Sequence, residues 1–274
     1  MKRHLDLILK LRYLDVPALR TRKLRVALDC VRGAGAPIML ALLDALGCEV
    51  TAIHTEPDGR FPHAPEPIAE NLGDLSALVR SSGAEIGLAV DPDVDRLAIV
   101  DELGNPIGED YTLAWAAALV LRKTAGAVVT NLSTSRVVED AALAAGQRCV
   151  LAPVGEANVA SAMKAERAVI GGEGNGGVIL PELHLGRDAP AGASLVLQLL
   201  CETGKTPSQL KASSPRYDIV KDKLDRLMRH WEMCTARCVP PFRMHRWTRR
   251  MVCDCPGQTA GCMYDRRAPS RLCV

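Results

Sequence analysis

No run of eighteen apolar residues occurs in the 274-residue chain, so no segment is long enough to cross a bilayer as a helix. A secretory leader is also missing. The apolar stretch 5–11 is interrupted by Asp6 and Lys10 and is too short and too charged for that role. The expectation is a soluble, cytoplasmic protein. An excess of charge of one sign is lacking too: 34 Lys and Arg face 32 Asp and Glu, and a net charge of +2 argues neither for nor against any partner. Zinc-type cysteine pairs are absent. Cys30, Cys48, Cys149 and Cys201 are scattered among apolar neighbours and read as core residues, while six more lie between Cys234 and Cys273. The spacings Cys234/Cys238 and Cys253/Cys255 are not those of a zinc module, even with His230 and His245 nearby.

The most informative stretch is 91–96, Asp-Pro-Asp-Val-Asp-Arg, entered from the apolar run 86–90. Alternate residues on an extended turn can aim their side chains at one point. Carboxylate oxygens are the ligands that hard cations such as Mg²⁺ and Ca²⁺ prefer. Three other readings compete with a metal site. A plain solvated turn leaves Arg96 without a reason. An EF-hand loop needs glycine where Arg96 stands and helices where the flanks read as strands. A phosphatase with Asp91 as nucleophile leaves Asp95 and Arg96 unexplained.

In chain order, residues 5–19 read as mostly helical with a break near Asp15 and Pro17, followed by a strand at 24–30. A turn with Gly33 and Gly35 leads to a helix at 37–46, then a strand at 49–53. The prolines between Glu56 and Pro67 predict an ordered, non-regular loop. A helix at 68–81 and strands at 85–90 and 97–101 complete a layered α/β domain over 1–109. The same alternation repeats over 110–214, with helices at 111–122, 136–145 and 156–165 and strands at 127–130 and 149–152. Residues 171–177 then carry five glycines together with Glu173 and Asn175. A flexible hairpin would also use such glycines, but a carboxylate beside an amide is suited to adjacent sugar hydroxyls. Asp188 is placed to cap the helix at 191–202, and Arg187 to steady an acidic neighbour. Ser133 and Ser135 read as caps for the helix beginning at Arg136.

Taken together, Asp-Pro-Asp-Val-Asp-Arg at 91–96, Gly-Gly-Glu-Gly-Asn-Gly-Gly-Val at 171–178, Gly-Arg-Asp-Ala at 186–189 and Pro-Asp-Gly-Arg-Phe-Pro at 57–62 resemble the α-D-phosphohexomutase family over residues 5–227. The resemblance implies the second and third of that family's four α/β domains. It also implies interconversion of 1-phospho and 6-phospho sugars through a bisphosphate, using a phosphoserine on the first domain. Carried over, Asp91, Asp93 and Asp95 are Mg²⁺ ligands, Arg96 supports the phosphoserine, and Glu173 and Asn175 hold sugar hydroxyls. Pro92 and Val94 stand where many relatives have glycine, and Gly177 where several carry histidine. The glycine-loop form looks most like phosphoglucosamine mutases of the archaeal type, with phosphoglucomutase or phosphomannomutase as the alternative. The implied partner is a hexose or hexosamine phosphate, with neither nucleic acid nor membrane.

No serine-bearing nucleophile loop precedes the resemblance. After Lys223 lysine disappears, after Ile219 isoleucine disappears, and periodicity is lost. Permitted codons from the third base of the Gln258 codon onward can be read in a shifted frame as a segment resembling the family's phosphate-binding loop. The expectation is therefore a frameshift shortly after Leu224, with 215–274 an interdomain segment and an irregular, disordered tail. Such a chain would be inactive alone, either as part of a mutase or as a metal- and sugar-phosphate-binding remnant.

Overall fold

In the computed structural model, the described residues are 1–215, 217–223, 249–252 and 261–267. Residues 1–215 form one compact unit. The helical stretch at the start is broken as the sequence predicts: α1 spans Lys2–Ile8 and α2 spans Val16–Arg22. Pro17 sits in the first turn of α2, where its missing N–H costs nothing, and the Asp15 carboxylate accepts from the Ala18 amide.

The first sheet contains β1 (Arg25–Asp29), β2 (Glu49–Ile53), β3 (Ile86–Val90) and β4 (Leu97–Val100), in the order β2-β1-β3-β4. The β1/β2 and β1/β3 pairs are parallel, and β4 runs antiparallel to β3. Every residue of β3 is buried, which is why it reads as a continuous apolar run. Helix α3 (Ala36–Ala45) follows β1. Helix α4 (Gly73–Ser82) covers the sheet with Leu75 and Val79 packed among Ala27, Ala89 and Val100. The helix read at 68–81 is split by a 3₁₀ turn at Ala69–Asn71, because no side chain caps the start of α4 at Leu72.

The second sheet repeats this topology. Strands β5 (Val128–Asn131), β6 (Cys149–Ala152), β7 (Ile170–Glu173) and β8 (Gly177–Ile179) run in the order β6-β5-β7-β8, again with an antiparallel last strand. Helices α5 (Asp110–Lys123), α6 (Val137–Ala144) and α7 (Glu156–Glu166) fill its connections. Glycines at 171 and 172 belong to β7, so the glycine-rich stretch is a strand and a tight hairpin in place of an open loop.

Helix α8 (Ala189–Thr203) is buried from Ala189 to Leu200 and packs against α1, α2, α3 and α5 as well as β4 and β8. A helix apolar on all sides belongs in a core, and this one joins the two halves. Its buried Gln198 is satisfied by the Asp15 amide and the Glu202 carboxylate. A final helix, α9 (Pro207–Ala212), begins with a capping box between Thr206 and Gln209, a signature the sequence reading overlooked. Of the four cysteines read as core, only Cys30 is buried and the other three are half-buried.

Residues 216–274 form a separate unit. Its described part is an antiparallel sheet of β9 (Tyr217–Lys223), β10 (Arg249–Val252) and β11 (Gly261–Arg267), ordered β10-β11-β9. Regular backbone is thus present in a segment whose sequence has no periodicity. The frameshift point after Leu224, Gln258 and the possible zinc ligands Cys234, Cys238, Cys253, Cys255, His230 and His245 lie outside the described residues.

The turn after β1 is packed against the aspartate loop. The Ala34 amide donates to the Pro92 carbonyl at 2.8 Å, and a Cβ at Gly33 would lie 2.4 Å from Pro92 Cα. A backbone neighbour cannot swing aside. Gly33→Ala is expected to destabilise the fold by about 1–3 kcal/mol, as overpacking does. Urea denaturation measures it, and an unchanged midpoint would mean that this turn is not a fixed seat for the loop.

Candidate metal and sugar site

Residues 91–96 make the turn of the β3–β4 hairpin, so two paired strands fix the loop at both ends. Asp91 is fully buried. Its Oδ1 accepts from the Asp95 and Arg96 amides at 3.0 Å each, and its Oδ2 accepts from Arg96 Nε at 2.7 Å. A carboxylate so engaged is a brace for the loop and not a free nucleophile, which argues against the phosphatase reading. Asp93 is exposed, while Asp95 and Arg96 are half-buried. Arg96 also reaches Glu66 in the proline-rich loop at 3.3 Å.

Val94 holds φ at +66°, the left-handed region that a β-branched residue rarely enters. This is one of the positions where relatives were expected to carry glycine, and the backbone here requires what glycine supplies freely. Strain of this kind persists only where surrounding contacts enforce it. The Val94 carbonyl accepts from the Ala189 amide at 3.1 Å, in the first turn of α8.

Glu173, at the end of β7, is the second buried carboxylate of the site. Asn131 Nδ2 donates to its Oε1 at 2.7 Å, the Gly155 amide donates to the same oxygen at 3.2 Å, and Arg187 donates to Oε2 at 2.8 Å. The Gly177 amide donates to Asn175 Oδ1 at 3.2 Å, which orients that amide group in the hairpin turn. Thr134 supports the same turn by accepting from the Gly174 amide at 2.9 Å. Ser135 Oγ accepts from the Val137 amide, as a cap would. Ser133 instead donates to Asn131.

The two hairpins meet. The Leu97 amide donates to the Gly176 carbonyl at 3.1 Å, and Arg187 binds Glu173 with one terminal nitrogen and Asp95 Oδ2 with the other. Arg187 Nε lies 3.4 Å from Glu156. The sequence anticipated that Arg187 would steady an acidic neighbour but not which one. Asn131 and Glu156 went unnoticed because nothing local marks a support residue whose partner is tens of positions away. Asp188 Oδ1 caps α8 by accepting from the Ala191 amide at 2.9 Å, as read.

One oxygen of Asp91, Asp93 and Asp95 each lies within 4.8 Å of the others, an all-oxygen donor set. Asp95 Oδ1 is buried without a hydrogen-bond partner. Arg96 Nε stands 3.6 Å from it, beyond hydrogen-bond reach, so the oxygen keeps a lone pair that a hard divalent ion at this all-oxygen donor set would meet. Burial, reinforced by the neighbouring Asp91 and Asp93 and opposed by Arg187, pushes the Asp95 carboxyl up to about 7. Burial acts upward on Asp91 as well, but hydrogen bonds from Asp95 and Arg96 outweigh it and hold Asp91 below the ordinary value. In the metal-free loop the proton therefore resides on Asp95.

Comparison with known proteins agrees with this geometry. The description "Phosphoglucomutase/phosphomannomutase, alpha/beta/alpha domain II" matches residues 2–104, and domain III of the same family matches 108–217. The chain belongs to the phosphoglucomutase/phosphomannomutase family, the α-D-phosphohexomutases, and carries its domains II and III. A probable phosphoglucosamine mutase of Methanopyrus kandleri is 37% identical over 216 residues, covering 78% of this chain and 48% of that protein. A phosphoglucomutase/phosphomannomutase of Thermococcus kodakarensis is 38% identical over 211 residues, covering 76% and 46%. The chain thus spans about half the length of these curated relatives. The solved structure of a putative phosphomannomutase from Thermus thermophilus superposes with a TM-score of 0.71 at 26% identity, covering 82% of this chain and 56% of that one. Aspergillus fumigatus N-acetylphosphoglucosamine mutase, solved with GlcNAc-6P and magnesium, shares the fold at a TM-score of 0.64 and 16% identity, covering 94% and 66%.

The proton on Asp95 fixes a sign. Folded Asp95 titrates near 7, against 3.8 for an ordinary carboxyl. Between these values the folded protein holds a proton that the unfolded chain has lost, so stability falls as pH rises through 7. In EDTA at pH 8, Asp95→Asn is expected to melt above the unchanged protein, with the gap narrowing as the pH is lowered. Millimolar Mg²⁺ should raise the melting temperature of the unchanged protein and leave Asp95→Asn unmoved. Thermal denaturation checks both, and a lower melting temperature for Asp95→Asn in EDTA would contradict the assignment.

Proposed function

We propose that these residues are the metal- and sugar-binding part of a phosphohexose mutase that interconverts glucosamine 6-phosphate and glucosamine 1-phosphate through a bisphosphate. The observation that carries this reading is the meeting of the aspartate hairpin and the glutamate hairpin at Arg187, which sets a cation site beside a polyol site. Phosphoryl transfer requires little covalent chemistry from a protein. It requires a positioned acceptor and neutralisation of charge spread over phosphate oxygens. Mg²⁺ bound by Asp91, Asp93 and Asp95 would supply that neutralisation. Arg96, held by Asp91, presents its remaining guanidinium edge to a phosphoserine carried by a domain outside these residues. Glu173 and Asn175 fix the sugar through its hydroxyls. Phosphoglucomutase or phosphomannomutase activity is the second reading, favoured by the Thermococcus kodakarensis relative. Among the described residues no helix is long and apolar enough to cross a membrane, and a cytoplasmic location is part of the proposal.

Asp93 is exposed and makes no structural contact that its loss would leave buried, so Asp93→Ala isolates the metal. Calorimetry should show Mg²⁺ binding weakened at least ~10-fold in Asp93→Ala, in line with loss of one of three charged ligands. Glu173→Gln should weaken glucosamine 6-phosphate more than it weakens Mg²⁺. Equal Mg²⁺ binding by both forms would end the metal assignment. The purified 274 residues are expected to bind without turnover, because the reading assigns the phosphoryl carrier to another domain. Conversion of glucosamine 6-phosphate to the 1-phosphate by this chain alone would overturn that expectation.

A further inference from the structure

The same unit holds a second cluster of metal-type donors, built from Asp29, His54 and His63. Asp29 ends β1 and is 1% exposed. His54 follows β2, and His63 lies in the proline-rich loop. Asp29 Oδ1 is 3.0 Å from His54 Nδ1, and Asp29 Oδ2 is 3.1 Å from His63 Nε2. None of these residues takes part in the aspartate hairpin.

The tautomer of His63 is fixed by its other nitrogen. Nδ1 lies 2.9 Å from the Ala64 carbonyl, which can only accept, so Nδ1 carries the proton. A neutral His63 then turns the lone pair of Nε2 toward a carboxylate oxygen, so that two acceptors face each other in a site where Asp29 has almost no access to water. Only a cation or a second proton relieves that arrangement. Donation of the remote N–H to a backbone carbonyl is also how ligating histidines are usually oriented. His54 offers the third donor: Nδ1 faces Asp29, and Nε2 lies 3.7 Å from the Asp74 carboxylate, too far to fix its tautomer. Its backbone is held at φ +51°, and its carbonyl accepts from the Arg32 amide at 2.8 Å.

Donor spacing permits this: one ligand atom from each of Asp29, His54 and His63 lies within 4.8 Å of the others. The comparable cluster of His4, His184 and Asp188 behaves differently. There the Gly186 amide donates to His184 Nδ1 at 3.1 Å, which leaves the proton on Nε2 facing Asp188, and the carboxylate already has its donor.

We propose that Asp29, His54 and His63 form a second metal site, for a borderline divalent ion of the Zn²⁺ type, distinct from the all-oxygen site of Asp91, Asp93 and Asp95. Two imidazole nitrogens and one carboxylate suit such an ion better than Mg²⁺, and they leave a position open. Bound there, the ion ties the ends of β1 and β2 to the loop that carries Glu66, the partner of Arg96.

The test is a Zn²⁺ titration of the metal-free full chain, labelled with ¹⁵N at histidine, in millimolar Mg²⁺ to fill the oxygen site. The ring resonances of His54 and His63 should move together to a saturating end point while those of His4 and His184 stay in place. In His63→Gln the His54 response should need at least ~10-fold more Zn²⁺, as for a lost ligand. If the His54 and His63 signals hold still across the whole titration, the cluster is closed by a proton and the proposal fails. With the resonances assigned independently through backbone connectivities, the readout in the unchanged protein stands even where His63→Gln fails to fold, and it is separate from Mg²⁺ binding and from mutase activity.

Discussion

The face where the two hairpins meet depends on Arg187 being held among three carboxylates. Asp95 comes from one hairpin, Glu173 from the other, and Glu156 from the start of α7. Like charges would drive these groups apart, and the Arg187 guanidinium is the cation that all three share in the described contacts, with Arg96 Nε a further 3.6 Å from Asp95. Arg suits this place because its fork can meet two carboxylates at once while staying charged. Arg96 serves the aspartate hairpin in the same way through Asp91 and Glu66. Two guanidiniums among six carboxylates, counting Asp93, leave the face strongly negative, and that surplus is the electrostatic ground for the proposed divalent cation.

Duplication of the fold explains why the two functional loops can meet. Each sheet has three parallel strands and an antiparallel edge strand, and each functional loop is the hairpin between the last two strands. Equivalent positions have been given different chemistry: alternating aspartates in one, and a glutamate and an amide among glycines in the other. The buried helix α8 locks the pair together, and its first turn binds the carbonyl of Val94 inside the aspartate hairpin. The rigid core of one half thus sets the geometry of the other's loop.

Much of this was legible in the sequence, for identifiable reasons. The fully buried β3 reads as an apolar run, and β6 was located residue for residue from alternation and flanking turns. Asp91, Asp93 and Asp95 could be chosen as a set because their spacing is local. Glu173 was read as part of a loop but ends a strand, because glycines that permit close strand packing look the same as glycines that permit flexibility. A Cβ at Gly172 would lie 2.0 Å from the Gly177 carbonyl, so the hairpin needs its absence. Arg187 meets Asp95 across 92 positions, and Asp29 meets His54 and His63 across 25 and 34. Pairings at such separations are set by the crossing of strands and leave no local trace in the sequence.

The strain at Val94 and the proton on Asp95 belong to one design. Gathering three aspartates, one buried, one half-buried and one exposed, within reach of one point is unfavourable in the absence of an ion, and the metal-free loop accommodates them in two ways. One carboxylate takes up a proton, and the backbone is held in a left-handed turn by the Asp91 brace and the α8 amide. Both are arrangements that a cation at the proposed site would relieve: it would take the place of the proton and meet the Asp95 oxygen that has no hydrogen-bond partner. A loop built this way has its ligand geometry fixed before the ion arrives, so binding energy is not spent on ordering the chain. The remaining cost falls on the folded state, and a well-packed core of two sheets and a fully buried helix is what allows the protein to bear it.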